Sequence, residues 1–190
     1  LYEREDGTTA RRENNDFDTT SILSKLLLDA GGWDTSLSGS IADQKLGSPG
    51  SEGSAGMLTP DDEVRTRRYF ITLNTAKNFG PDQSVRLKAS RIATRTHGLT
   101  FFAGDVWTKL TSDYIELDYS KTAGVFGISP GVAWRREGIS SDDYGIHTRT
   151  TGSGFLTTSV NLDPVLISLT GRRDQSSDFD TRWTYHGGIV

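Results

Sequence analysis

Connections in this 190-residue chain alternate between short and long. Tight turns are expected at Asp29–Gly32 (DAGG), Phe79–Asp82 (FGPD), Lys121–Gly124 (KTAG) and Leu162–Pro164. Long polar loops are expected at Lys45–Thr66 and Thr96–Asp113, with longer stretches after Ile139 and after Asp174. The segments between them, about ten residues each, keep apolar side chains on one parity and polar or small ones on the other. Soluble sheets have no general reason to gather every long loop at one end. Outer-membrane β-barrels do, because their strands join through short turns on one side and long loops on the other.

The parity can be read segment by segment. Trp33, Leu37 and Ile41 oppose Asp34, Ser36, Ser38 and Ser40. Tyr69, Ile71 and Leu73 oppose Arg68, Thr72 and Asn74; Val85, Leu87 and Ala89 oppose Ser84, Arg86 and Lys88. Ile115, Leu117 and Tyr119 oppose Glu116, Asp118 and Ser120; Phe126, Ile128, Val132 and Trp134 oppose Gly127, Ser129, Gly131 and Arg135. Leu156, Val160, Ile167, Leu169, Trp183, Tyr185 and Ile189 continue the apolar series. With the less regular Thr20–Leu28 segment, about nine strands are expected.

Alternation alone does not separate a membrane barrel from a soluble sandwich. Here the polar parity mixes charges with many Ser, Thr and Gly, as a wet lumen would. Aromatics fall mostly near strand ends, where interfacial girdles sit. Apolar residues make up 34% of the chain, low for a domain with a packed core. No apolar run is long enough for a transmembrane helix, which leaves barrel strands untouched by that test. A bacterial single-chain barrel usually has an even strand number, and an open sheet edge does not sit in lipid. An odd count therefore suggests a portion of a larger barrel. The start at Leu1 and the end at Val190, both within the pattern, are read as those of a piece of a longer, exported protein.

Chemistry-bearing residues are sparse. There is no cysteine, so neither disulfides nor thiolate metal sites arise. His97, His147 and His186 lie far apart without metal-ligand spacing. No phosphate loop or nucleophile motif is present; no enzyme, cofactor or metal centre is expected. The acids Asp61–Glu63 and Asp142–Asp143 are read as solvated loop charges, since calcium needs six to eight oxygens from several groups. A net charge of −4 gives no support to a nucleic-acid partner.

Four arginine pairs stand out: Arg11–Arg12, Arg67–Arg68, Arg135–Arg136 and Arg172–Arg173, all toward the long-loop side. Neighbours in a strand face opposite ways. By parity Arg67, Arg136 and Arg173 point outward, where lipopolysaccharide phosphates or lateral salt bridges are equally good partners. Arg135 and Arg172 point inward with Glu116 and Asp118, and these four are expected to form a charged network on the lumen wall.

Several stretches taken together resemble the TonB-dependent outer-membrane transporters, and most closely their vitamin B12-receptor-like branch. They are GTTARRENNDF (Gly7–Phe17), GSPG (Gly47–Gly50) with TPDDEVRTRRYF (Thr59–Phe70), VAWRREGISSDD (Val132–Asp143) and LTGRRDQSSDFDTRWTYHGGIV (Leu169–Val190). Asp180 stands where that family often has glycine. The resemblance implies a barrel of about 22 strands around a plug, the plug carrying the box that engages the TonB complex. Neither plug nor box is in these 190 residues. The expectation is thus an all-β chain: residues 1–190 as an antiparallel transmembrane barrel segment in a bacterial outer membrane, importing a scarce, large nutrient such as a corrinoid or a metal chelate. Its partners would be outer-membrane lipid and lipopolysaccharide, the TonB complex through the plug, and a small nutrient ligand. The alternative is a passive porin-like channel or a surface-receptor barrel.

Overall fold

The structure, a computed structural model, describes residues 2–3, 9–10, 16–47, 63–100 and 104–190. The pair Arg11–Arg12, the acids Asp61 and Asp62, and most of the Lys45–Thr66 loop lie outside the described residues. Two short strands, β1 (Tyr2–Glu3) and β2 (Thr9–Ala10), pair with each other. Nine more form one antiparallel sheet: β3 (Phe17–Ala30), β4 (Trp33–Gly47), β5 (Glu63–Asn78), β6 (Gln83–Thr100), β7 (Gly104–Ala123), β8 (Phe126–Ser141), β9 (Gly145–Asn161), β10 (Leu166–Ser176) and β11 (Arg182–Ile189). Every strand lies beside its sequence neighbours, so the sheet is a simple meander from β3 to β11.

The tight turns fall where their residues require them. Gly31 and Gly32 both have positive φ, the conformation a two-residue hairpin turn needs, and Gly124 has it in the β7–β8 turn. FGPD closes with the Phe79 N–H donating to the Gln83 carbonyl at 2.9 Å.

The expected long loops need correction. Thr96–Asp113 is not a loop: β6 runs to Thr100 and β7 starts at Gly104, in unbroken register from Gln83↔Lys121 to Thr100↔Gly104. After Ile139, β8 reaches Ser141 and β9 begins at Gly145; after Asp174, β10 reaches Ser176. Residues here mix Leu99, Val106, Trp107 and Leu110 with polar side chains on both parities, so neither face offers a continuous apolar row. They stay paired because the ladder hydrogen bonds and the β-branched threonines (Thr94, Thr96, Thr108, Thr111) favour strand without burial. At 18 and 20 residues, β6 and β7 greatly exceed the roughly 9–11 residues that cross a bilayer. The hairpins extend past the apolar band.

The ladders place Trp33, Leu37, Ile41, Tyr69, Ile71, Leu73, Val85, Leu87, Ile115, Leu117, Val132, Trp134, Ile167 and Leu169 on one face of the sheet. Among the described residues nothing covers that face. Leu117 is 45% exposed and Val132 and Leu169 each 58%, whereas buried Ala133, Thr72 and Ser141 lie on the polar face. Among the described residues Ala133 is the single buried hydrophobic residue, so the sheet has no packed apolar core. A soluble sandwich would bury the opposite set.

Register also climbs across the sheet. One row reads Leu37, Leu73, Ala89, Ile115, Trp134, Gly152, Gln175. It starts near the short turn in β4 and ends one step from the far end of β10, as in the tilted strands of a barrel. Among the described residues β3 and β11 each have a neighbour on one side only.

Candidate functional site

The polar face of β7–β11, toward the long-hairpin end, gathers arginines and aromatics around a cavity of about 630 Å³. Alternation alone brings Tyr114, Arg135, Arg149, Arg172 and Arg182 to it, because each occupies the polar parity of its strand. Tyr114 and Arg135 are direct register partners. The Arg135 guanidinium stands 5.4 Å from the Tyr114 ring centre, and Lys88 Nζ stands 5.8 Å from it. The Tyr114 hydroxyl donates to the Glu116 carboxylate.

Arg172 is fixed by three neighbours. Its Nε donates to Asp174 Oδ1 at 2.8 Å, its Nη2 to Ser153 Oγ at 2.8 Å, and its guanidinium lies 5.9 Å from the Phe155 ring centre. Ser153 Oγ in turn donates to Asp174 at 2.5 Å. Gly131 leaves room for Phe155: a Cβ there would overlap the ring. Farther out, Arg149 donates from Nε and Nη2 to Glu137 at 3.0 and 2.6 Å. Arg182 lies 5.0 Å from the Phe179 ring centre. Such a surface has the chemistry to meet anions and flat rings, through guanidinium forks and cation–π contacts.

Glu116, Asp118, Arg135 and Arg172 therefore share the polar face. No ion pair joins these four to one another among the described residues. Arg172 takes Asp174, Glu116 takes Tyr114, and Asp118 stands opposite Arg86. Arg67, Arg136 and Arg173 lie on the apolar face beyond the band. Each of β4–β8 ends its apolar series with a charge two positions on: Ile41 then Asp43, Tyr69 then Arg67, Ala89 then Arg91, Ile115 then Asp113, Trp134 then Arg136. Asp43 accepts from Arg65 Nε at 3.0 Å and from Arg67 Nε at 2.9 Å. Hydrogen bonds from these two guanidiniums pull its carboxyl pKa down to about 2. Asp142, read from sequence as a solvated charge, accepts the Trp107 backbone N–H at 2.8 Å and so closes the β7–β8 ladder.

Among solved structures, the siderophore receptor PirA from Pseudomonas aeruginosa superposes with a TM-score of 0.74 over 91% of this chain and 30% of its own length, at 12% identity. The FrpB iron transporter from Neisseria meningitidis matches at 0.72 over 99% of this chain and 34% of its own, also at 12% identity. The ferric citrate transporter FecA matches at 0.62 and 13% identity, over 94% and 33%. The fold is that of a segment of a TonB-dependent receptor barrel. This chain spans about a third of the length of those barrel proteins. The apolar face is accordingly the barrel exterior and the polar face its lumen wall. No protein-family model matches the chain, and no curated protein matches it.

Sequence reasoning missed Arg149 and Arg182 on the lumen wall, because neither belongs to an arginine pair. The signal that finds them is the cross-strand register, Glu137 opposite Arg149 and Asp174 opposite Arg182.

Proposed function

We propose that this chain is the barrel portion of a TonB-dependent outer-membrane receptor that imports an anionic metal chelate. The observation that carries the reading is the lumen wall itself, with Arg135, Arg149, Arg172 and Arg182 among Tyr114, Phe155 and Phe179. Charged guanidiniums beside aromatic rings suit the carboxylate, catecholate or phenolate oxygens of an iron chelate better than the neutral, amide-edged face of a corrinoid. The similar structures named for siderophore, iron and ferric citrate uptake support a chelate as well. In this reading more barrel strands pair with the free sides of β3 and β11, and a plug occupies the lumen and engages the TonB complex. The long hairpin ends face outside, and Arg67, Arg136 and Arg173 meet anionic head groups at the exterior rim.

Uptake by the native receptor in cells provides the test. Cells lacking the receptor gene should lose accumulation of a labelled ferric chelate, and wild-type cells should lose it when the proton-motive force is collapsed. Corrinoid accumulation in place of iron would move the ligand assignment. Uptake indifferent to the proton-motive force, with open-channel conductance in planar bilayers, would favour the passive channel. Orientation is read separately: a cysteine replacing Asp143 should react with an impermeant reagent on intact cells, and one replacing Asp82 only after lysis.

A further inference from the structure

The lumen wall is not polar throughout. On β5–β8 its parity carries Phe70, Ile92, Leu110 and Ile139 toward the long-hairpin end. Phe70 stands directly opposite Ile92, and Leu110 directly opposite Ile139. Ile92 faces Ser112, which places Leu110 on its diagonal, within reach of a long side chain. The four make one oblique apolar shelf across four strands. Ile92 is 39% exposed and Leu110 46%, so no described residue covers them. A large aliphatic side chain left facing water gains nothing from burial.

Ile92, Leu110 and Ile139 line a cavity of about 420 Å³ that also meets Glu137, His147 and Arg149. Glu137 and Arg149 line the arginine cavity as well, so the two are contiguous. Their shared wall is an ion pair, with Arg149 Nη2 at 2.6 Å from Glu137, and its two charges cancel. A neutral part of a ligand can cross it without parting a charge from its partner. On β8 the order toward the long-hairpin end is Arg135, Glu137, Ile139; on β9 it is Thr151, Arg149, His147. Cationic and apolar cavities therefore follow one another along the lumen. The apolar lining is branched aliphatic, which suits a flexible hydrocarbon better than a flat ring.

We propose that the imported chelate is amphiphilic. Its anionic, metal-binding head sits among Arg135, Arg172 and Arg182, and an aliphatic arm passes the Glu137–Arg149 pair to lie on Ile92, Leu110 and Ile139. Arg135 and Ile139 are about 13 Å apart along β8, so the arm is a chain of several carbons and not a single methyl group. This inference rests on the reading of the arginine cavity as the chelate site, and it narrows the class of chelate which that site takes.

The test uses the full native receptor carrying this chain, in lipid nanodiscs. The probes are ferric complexes of two chelator heads, a bis-catecholate and a hydroxycarboxylate, each amidated with methylamine or with octylamine. Binding is read by quenching of the receptor's tryptophan fluorescence. For a head that binds, the octyl form should bind roughly tenfold or more tightly than the methyl form. Leu110→Ser/Ile139→Ser should bring that ratio close to one by weakening the octyl form. Arg135→Gln should weaken both forms alike and keep the ratio. Equal affinities of the two forms for the wild type overturn the proposal. So does an octyl preference that survives in Leu110→Ser/Ile139→Ser, which would report partition into the bilayer. If another segment of the receptor covers the shelf, the double variant melts lower while the ratio is near one in both proteins, and the proposal fails. A methyl form that binds without any octyl preference thus removes this inference alone; a wild type that binds neither head in either form removes the chelate reading with it.

Discussion

The two faces of this sheet use the same backbone to opposite ends. On the exterior, bulky residues such as Val132 and Leu169 stand exposed, while lumen-side Thr72, Ala133 and Ser141 are buried. Charge is distributed differently too. On the exterior it appears only where the apolar series stops, as Asp43, Arg67, Arg91, Asp113 and Arg136. On the lumen wall it is spread along the strands, from Arg86 and Asp118 to Arg149 and Arg182, and combined with aromatic rings. A side chain that is an ordinary component of one face is a fault on the other. Alternation therefore carries more information here than composition.

Substitutions of matched chemistry on the two faces test that contrast. The largest effect is expected from Leu117→Arg, within the exterior band: about 2–4 kcal/mol of lost stability if it lies near the bilayer midplane. Ser36→Lys on the lumen wall should cost far less. Unfolding of the two receptors in lipid vesicles by denaturant makes the comparison, and equal losses would break it. An intermediate effect is expected inside the lumen. Gly131→Ala pushes a methyl into the Phe155 ring, on which Arg172 rests, and should cost about 1–3 kcal/mol. Adding Phe155→Leu should recover most of the loss; no recovery would mean that the backbone, not the ring, limits the site.

The smallest effect concerns the exterior rim. Asp43 has its folded pKa near 2, below its ordinary 3.8, so its contribution is complete above the ordinary value and is lost as pH falls toward 2. The carboxylate sits at the solvated rim among exposed arginines, so the difference should be slight. Melting of wild type and Asp43→Asn should differ by a small constant amount above about pH 5 and converge between about pH 4 and 2. A gap that widens on acidification would contradict the pairing with Arg65 and Arg67.

Much of this was legible in the sequence, for a physical reason. A sheet whose two faces meet different solvents must alternate, and Trp33, Leu37 and Ile41 against Ser36, Ser38 and Ser40 record that directly. Strand ends were less legible. Between residues 96 and 113 the sequence keeps no regular apolar parity, although the ladder pairs residues 96–100 with 104–108. The lumen site was half visible: Arg135 and Arg172 drew attention as members of pairs, whereas Arg149 and Arg182 needed the register.

The climb of the register rows has a geometric consequence. A belt at one height is not a set of paired neighbours: it must step toward the short turns as it passes from β4 to β10, because each row rises along the same path like a ramp. Ile41 and Tyr69 end the apolar series of β4 and β5 in one row, whereas Ala89, Ile115 and Trp134 end those of β6, β7 and β8 in another, two exterior positions nearer the short turns. Inserting one residue in any strand would do two things at once. It would turn every later side chain of that strand to the wrong face, and it would change the pitch of the ramp on which the next strand has to close. The circumference of the finished cylinder is thus written into the offsets of these nine strands, and a change in diameter requires changing the pitch all the way round.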